Sequence, residues 1–355
     1  MYMKLFIPGP THVRDEILEA MAIPMIGHRS KEYVALQAEV IAKVQKLLYT
    51  KKRIFLSTSS STGLMEGAVR NCVAKKCLNT VCGAFSKRWH QITLANGKPA
   101  DKLEVPMGQA ITAEMVDEAL ASGEYDAITV VHNETSTGIL NPLYEIAEVV
   151  KKYPDVCLLV DAVSSMAGVK IEVDKLSIDV CLAGVQKCFA VPPGLAVASV
   201  SQKALDRAAQ VENRGYYFDF LVLQKYLDER GQTPATPAIS QIFALNKQMD
   251  DILAEGLENH WQRHKAMAAF VQGWARQHFG LYSDEQYLSP TVTNVHNTRG
   301  ISVADLNAEL GKRGAMISNG YGSLKETCFR IAHMGDLTLA DLEWLTGQIE
   351  DILGL

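Results

Sequence analysis

Short, nearly continuous apolar runs alternate with stretches of helical periodicity along the first two-thirds of the chain. The runs Arg53–Ser57, Thr80–Gly83, Ala127–His132, Val156–Asp161, Ile178–Ala183 and Leu195–Val200 are mostly unbroken Val, Ile and Leu. Strands buried on both faces have that composition, because neither side meets water. Between the runs lie amphipathic stretches. In Tyr33–Leu48 the residues Val34, Val40, Ile41, Val44, Leu47 and Leu48 form one apolar stripe. Leu143–Lys152 follows Pro142 and ends on Lys151 and Lys152, the polarity a helix favours at its two ends. This alternation predicts an α/β domain with a mainly parallel sheet.

The pattern changes after Gly231. Thr236-Pro237 reads as an N-cap and first-turn proline. A long helical stretch is expected over about 237–278, interrupted near Gly256. Strands near Thr291–His296 and Thr327–His333 and helices over 302–313 and 338–353 make a smaller α+β unit. At 355 residues the chain suits two domains. With no repeat or flexible linker in view, the expected division is 1–245 and 246–355, along the long helix.

Charge narrows the partners. The net charge is −5, and nothing suggests a basic face for nucleic acid or membrane. No run of about 18 apolar residues is present, and the opening MYMKLFIPGP is too short for a signal peptide. Seven cysteines occur without a C-x-x-C pair or a zinc pattern, so the expectation is reduced thiols in a cytoplasmic protein with no bound metal.

Ligands of open α/β sheets sit beyond the carboxyl ends of the strands. After the first run comes Ser57-Thr58-Ser59-Ser60-Ser61-Thr62-Gly63, a hydroxyl-rich turn that opens a helix. Free N–H groups, the helix dipole and hydroxyls can converge there on one phosphate, or the turn is simply a serine-rich N-cap. It carries no lysine and is not a nucleotide P-loop. Asp161 ends an apolar strand and requires a partner. One such partner is a protonated pyridine nitrogen, while an isolated aspartate there is more often a cap or turn residue. Lys187 follows another apolar strand and precedes Cys188-Phe189-Ala190-Val191. Apolar surroundings disfavour the charged amine and leave it nucleophilic, although most lysines are solvated surface charges. His132-Asn133-Glu134-Thr135-Ser136-Thr137-Gly138 is a further polar cluster at a strand end. Asp161 and Lys187 are separated by one expected β-α-β step.

Asp161-Ala-Val-Ser-Ser, Gly184-Val-Gln-Lys187 and Pro192-Pro-Gly194, with Pro8-Gly9-Pro10-Thr11 at one end and Cys328-Phe-Arg330-Ile-Ala-His-Met-Gly335 at the other, resemble the class V aminotransferases. These are fold type I enzymes of pyridoxal 5′-phosphate. The nearest branch is the alanine/serine–glyoxylate (serine–pyruvate) aminotransferases. The resemblance implies a large domain with a mainly parallel sheet sandwiched by helices, plus a smaller C-terminal α+β domain. It implies that Lys187 forms a Schiff base with the cofactor and shuttles a proton, while Asp161 pairs with the pyridine nitrogen. Ser61, Thr62 and Gly63 would hold the phosphate, with Gln186 beside them. Phe85 would stack on the ring, and Thr135 would bond its phenolic oxygen or the phosphate. Arg330 would take the substrate α-carboxylate as a bidentate pair, with Gly9 contributing a backbone contact.

The family works as a homodimer with active sites at the interface. Thr236 would then reach the partner's phosphate; Thr233 departs from the pattern. His28 and Arg29 would cross to the partner, for an acidic substrate group or as a salt bridge. The implied reaction is ping-pong transamination from alanine or serine to glyoxylate or pyruvate.

Three rival readings remain. One is a cysteine desulfurase, which needs a mobile cysteine; Cys328 lies in an expected strand and reads as buried and inert. Another is an aminotransferase for a phosphorylated or phosphonate substrate, with His28, Arg29, Arg88 and His333 as a second anion site. The last is a scaffold without catalysis, against which the set Lys187, Asp161 and Arg330 argues.

Overall fold

The computed structural model describes residues 3–355. Its centre is a seven-stranded sheet. Across the sheet the order is Arg53–Ser57, Ala196–Val200, Val180–Gly184, Cys157–Asp161, Ala127–Val131, Cys77–Val81 and Ala100–Glu104. Only Ala196–Val200 runs antiparallel to its neighbours. The apolar runs expected to be strands are strands, and the five at the centre are buried along their whole length. Two apolar cores cover the two faces of the sheet. Leu56, Ile128, Val160 and Ala183 point into one, and Phe55, Ala127, Leu159 and Leu182 into the other, as the twofold period of a strand requires.

The expected strand Thr80–Gly83 begins earlier, at Cys77. The edge strand Ala100–Glu104 has no apolar run to announce it. Lys102 and Glu104 are exposed there, the charged dressing that keeps a sheet edge from pairing further. The step from Asp161 to Val180 contains turns and no helix. Its first residues therefore stay against the end of the sheet, where Ala162, Ser164 and Ser165 are buried.

A second unit follows the long helical stretch. The latter is two helices, Ile239–Glu255 and Leu257–His278, broken at Gly256, whose φ of +85° suits glycine. Thr236 is not the N-cap: the helix begins later, and the Ala238 N–H donates to Thr58 Oγ1 at 2.8 Å. The expected division at 245/246 falls inside the first helix. Ile252 and Trp261 pack in a core of the large sheet, whereas Met267, Val271 and Trp274 pack with the second unit. That unit holds an antiparallel sheet in the order Val292–His296, Cys328–Ala332, Ser318–Asn319. Helices Val303–Lys312 and Leu339–Leu353 cover it through Leu306, Leu310, Leu342 and Leu345.

The amino-terminal segment ties the units together. Lys4–Leu5 pairs in parallel with Ala315–Met316 of the second unit. A few residues later the Thr11 N–H donates to the Gln186 carbonyl at 3.0 Å. This crossing carries Pro8 and Gly9 to the end of the large sheet, beside Lys187. Among the described residues no helix is long and apolar enough to cross a membrane. No group of three or more His, Cys, Asp or Glu there could hold a metal ion.

Candidate active site

A cavity of about 250 Å³ opens beyond the carboxyl ends of the central strands. Ser61, Thr62, Phe85, Thr135, Asp161, Gln186 and Lys187 all line it. Each comes from the end of a strand, from just after one, or from the helix that follows one. Asp161 is the last residue of its strand, and Lys187 lies three residues past the adjacent one. Parallel pairing of these neighbours puts the acid and the amine on the same edge of the sheet.

The Lys187 amine is buried, and it donates a hydrogen bond to the Pro8 carbonyl at 2.5 Å. Burial is the main influence on its pKa and brings it down to about 8, with Asp161 opposing that shift. Asp161 is buried too. Its Oδ1 accepts from the Val163 N–H at 2.7 Å, and no cationic side chain among the described residues is bonded to it. Burial pushes its carboxyl up to about 7. The site thus contains an acid and an amine that both lack a charged partner.

Around them the cavity is differentiated. At one side the Ser61–Cys72 helix presents its amino terminus, and the Ser60 side chain makes no capping bond. The Phe85 ring lies 5.5 Å from Lys187 Nζ, measured to its centroid. The hydroxyls of Thr135 and Ser164 are hydrogen-bonded to one another. Arg330 comes from the second unit, is 7% exposed and lies near the cavity without lining it. It donates to the carbonyls of Asn319 at 3.2 Å and Thr135 at 3.4 Å. Burial lowers its pKa to about 10, so it remains cationic at neutral pH.

Other expected residues are near the cavity without lining it. Gly63 abuts the Phe218 ring, where a Cβ would come within 2.5 Å of Cζ. Gly9, at φ +103°, packs against the Lys187 stem, and a Cβ there would lie 2.9 Å from Cε. His28, Arg29 and Thr236 are outside the cavity of their own chain. Arg29 is exposed and donates to Gln232 Oε1 and to the carbonyls of Thr233 and Pro234. The two segments expected to meet a partner are therefore bound to each other.

Within one chain the four residues envisaged as an anion site for a phosphorylated substrate are not gathered at the cavity. His333 is fully buried, with one ring nitrogen bonded to the Pro290 carbonyl and the other to Thr293 Oγ1. Burial lowers its pKa to about 4, so it is neutral. Of the four residues only Arg88 lines the cavity. Cys328 is buried within a strand and its thiol is pushed up to about 12, which leaves it inert. All seven cysteines are free and buried.

Several residues of the site escaped the sequence reading. Ser60, Asn133, Val163 and Ser164 line the cavity; the first two sit inside polar clusters that pointed there. Glu134 is fully buried and accepts hydrogen bonds from the Phe85 and Ser86 N–H groups at the start of the Ala84–Ala95 helix. Tyr321 has its ring centroid 5.1 Å from that of Phe85, and no motif marked it.

Comparison with known proteins gives one direction. The family described as Aminotransferase class-V matches residues 13–335. An uncharacterized aminotransferase of Methanocaldococcus jannaschii is 42% identical over 339 residues, covering 93% of this chain and 87% of its own. A serine–glyoxylate aminotransferase of Methylorubrum extorquens is 31% identical, covering 94% and 86%. The crystal structure of an alanine–glyoxylate aminotransferase from Nostoc sp. superposes with a TM-score of 0.94 at 25% identity, covering 99% and 96%.

Proposed function

The chain belongs to the class-V aminotransferases, enzymes that work with pyridoxal 5′-phosphate, and on that premise we propose that it carries an amino group from a small L-amino acid, alanine or serine, to glyoxylate or pyruvate in a ping-pong reaction. One observation supports this most: Lys187, Asp161 and the hydroxyl-bearing helix start at Ser61 border a single cavity, with neither charged group paired to an ion. Those residues suit the cofactor chemically. An unpaired buried carboxylate matches a protonated pyridine nitrogen, an amine matches a carbonyl, and a helix start matches a phosphate. The names of two of these similar proteins, both glyoxylate aminotransferases, support the acceptor.

When bound, the cofactor supplies a carbonyl that condenses with amines and a ring that takes up electrons. The chain supplies position and protons. Lys187 Nζ would hold the cofactor covalently, then take the proton from the substrate Cα and return it at the opposite end of the exchange. Asp161 would pair with the protonated ring nitrogen. Phe85 would stack on the ring, Thr135 would bond its phenolic oxygen or the phosphate, and Gln186 would contact the phosphate. Ser61 and Thr62 would carry the phosphate with the Gly63 backbone. Arg330 grips the α-carboxylate through two parallel hydrogen bonds, and Gly9 adds a backbone contact.

We assign His28, Arg29 and Thr236 to an interface between two copies of the chain. Exposed Ile23 and Met25 shortly before His28, and exposed Tyr216 and Tyr217 beside Thr236 in space, support a buried face there. Seven free thiols support a reducing, cytoplasmic setting.

The test is to screen alanine and serine against glyoxylate, pyruvate and 2-oxoglutarate with the reconstituted enzyme and its Lys187→Ala variant. Wild type should transfer the amino group, and the variant should lose both turnover and the visible absorbance of bound cofactor. Turnover by the variant at the wild-type rate would overturn the role of Lys187. Failure of both donors with every acceptor would remove the substrate assignment.

A further inference from the structure

Two arginines of the cavity region lack a carboxylate partner among the described residues. There Arg330 donates only to carbonyls. Arg88 donates to the Tyr321 hydroxyl at 2.9 Å and forms no ion pair among the described residues. Both meet the same tyrosine, since the Arg330 Cζ lies 5.5 Å from the Tyr321 ring centroid. The Arg88 guanidinium also sits 4.9 Å from the Phe85 centroid, on the residue that faces Lys187. Amine, ring and both guanidiniums thus form one continuous group.

We propose that Arg88 and Arg330 form a two-point anion site, and that one of the substrates exchanged at Lys187 is an L-amino acid with a second acidic group on its side chain. The inference rests on the aminotransferase reading above and adds an acidic amino acid to the neutral donors proposed there. A single α-carboxylate needs one guanidinium, and Arg330 suffices for it. A second half-buried arginine without an acid is an unmet demand for an anion. The cofactor phosphate does not meet that demand. Its expected seat is the helix start at Ser61, whereas Arg88 is bonded to Tyr321, the ring that Arg330 also approaches. Carboxylate, sulfonate and phosphate side chains share the required chemistry: each offers a guanidinium two acceptor oxygens.

The test uses the holoenzyme, glyoxylate as acceptor and four donors: aspartate, cysteate, phosphoserine and alanine. Wild type should use at least one of the acidic donors, and the best of them names the distal group. Arg88→Gln should lower kcat/KM for that donor by about 10- to 100-fold more than for alanine, mainly through KM, the range for loss of a charge-assisted hydrogen bond. Succinate, which cannot react, should perturb the absorbance of bound cofactor in wild type and compete with the acidic donor. That measurement stands even if the variant does not fold.

Turnover of alanine or serine with no acidic donor accepted and no response to succinate would sink the inference alone. An equal loss for acidic and neutral donors would make Arg88 a support for Phe85 instead. A parallel loss of cofactor affinity would place it with the phosphate. Absence of turnover with every donor would take down the aminotransferase reading and this inference together.

Discussion

Lys187 Nζ rests 2.5 Å from the carbonyl oxygen of Pro8, a residue 179 positions earlier in the chain. The contact exists because Lys4–Leu5 is fastened to the second unit and Thr11 to the Gln186 carbonyl, which stretches the segment between them across the mouth of the cavity. Gly9 has two reasons to be glycine. Its φ is +103°, and a Cβ would meet the Lys187 stem at 2.9 Å. Gly9→Ala should cost on the order of 1–3 kcal/mol in backbone strain and displace the lysine. The visible absorbance of bound cofactor should weaken and turnover should fall more than stability does. A variant with wild-type absorbance and rate would show that the stem tolerates the methyl group.

The depressed pKa of Lys187 predicts how the cofactor-free protein captures pyridoxal phosphate. Only the neutral amine attacks a carbonyl, and burial sets the amine pKa at about 8. Below that value the capture rate should rise about tenfold per pH unit, and above it the rate should level off. Mixing experiments read at the cofactor's visible band measure this directly. A profile still rising steeply beyond pH 9 would mean that the amine is not desolvated.

What could be read in the chain and what could not follow a physical line. Asp161 and Lys187 stand out because each is a charge placed at the end of an unbroken apolar run, and strand ends face ligands in parallel sheets. Ser61 and Thr62 stand out because hydroxyls cluster before a helix. Tyr321 lies beside a short 3-10 turn over Gly322–Leu324, where no periodicity exists to read. The edge strand Ala100–Glu104 hides behind its charges, and the helix-free passage from Asp161 to Val180 escaped because β-α-β is only the usual connection. Arg29 and the 233–236 segment are each expected to reach a partner copy. In one chain they find each other, a contact that sequence spacing does not reveal.

Arg330 is the group on which both substrates converge in the proposed reaction. Removing it leaves each substrate carboxylate without its counter-ion in a buried site. Arg330→Ala should raise KM for donor and acceptor alike, by about 2–5 kcal/mol, the scale for truncating one partner of a buried charge pair. Arg330→Lys should recover little, since an ammonium cannot form two parallel bonds. Steady-state kinetics with both substrates varied decide it, and an unchanged KM for each would contradict the role.

Asp161 should trade stability for function. Its carboxyl is raised to about 7 in the cofactor-free protein, well above the value near 4 of an unfolded chain. The folded state therefore has the full contribution of the neutral acid at low pH and loses it as pH climbs through 7. At pH 8 the ionised, unpaired carboxylate costs on the order of a few kcal/mol. Asp161→Asn should raise the denaturation midpoint of the apoprotein at pH 8, change it little near pH 4, and lower turnover of the reconstituted enzyme. If the variant were destabilised at pH 8, the carboxylate would have to possess a partner that stabilises its charge.

Glu134 carries the last prediction. Its carboxylate is fully buried and accepts from the N–H groups of Phe85, Ser86 and Ser136 and from the hydroxyls of Ser86 and Ser136. Every one of these partners is a donor, and two of the N–H groups belong to the first turn of the Ala84–Ala95 helix, where the dipole also favours an anion. Gly83 leaves the room, since a Cβ there would come within 2.5 Å of Glu134 Cγ. The carboxylate thus fixes the helix start that bears Phe85. Glu134→Gln has nearly the same shape but turns an NH₂ toward donors and removes the charge. The loss should be on the order of 2–4 kcal/mol, as for a buried group whose partners are left unpaired. Cofactor affinity should fall with it, because Phe85 is no longer held. Denaturant unfolding of the apoprotein and absorbance titration with pyridoxal phosphate read the two effects separately. A variant destabilised but with wild-type affinity would leave Glu134 as a helix cap that does not position Phe85.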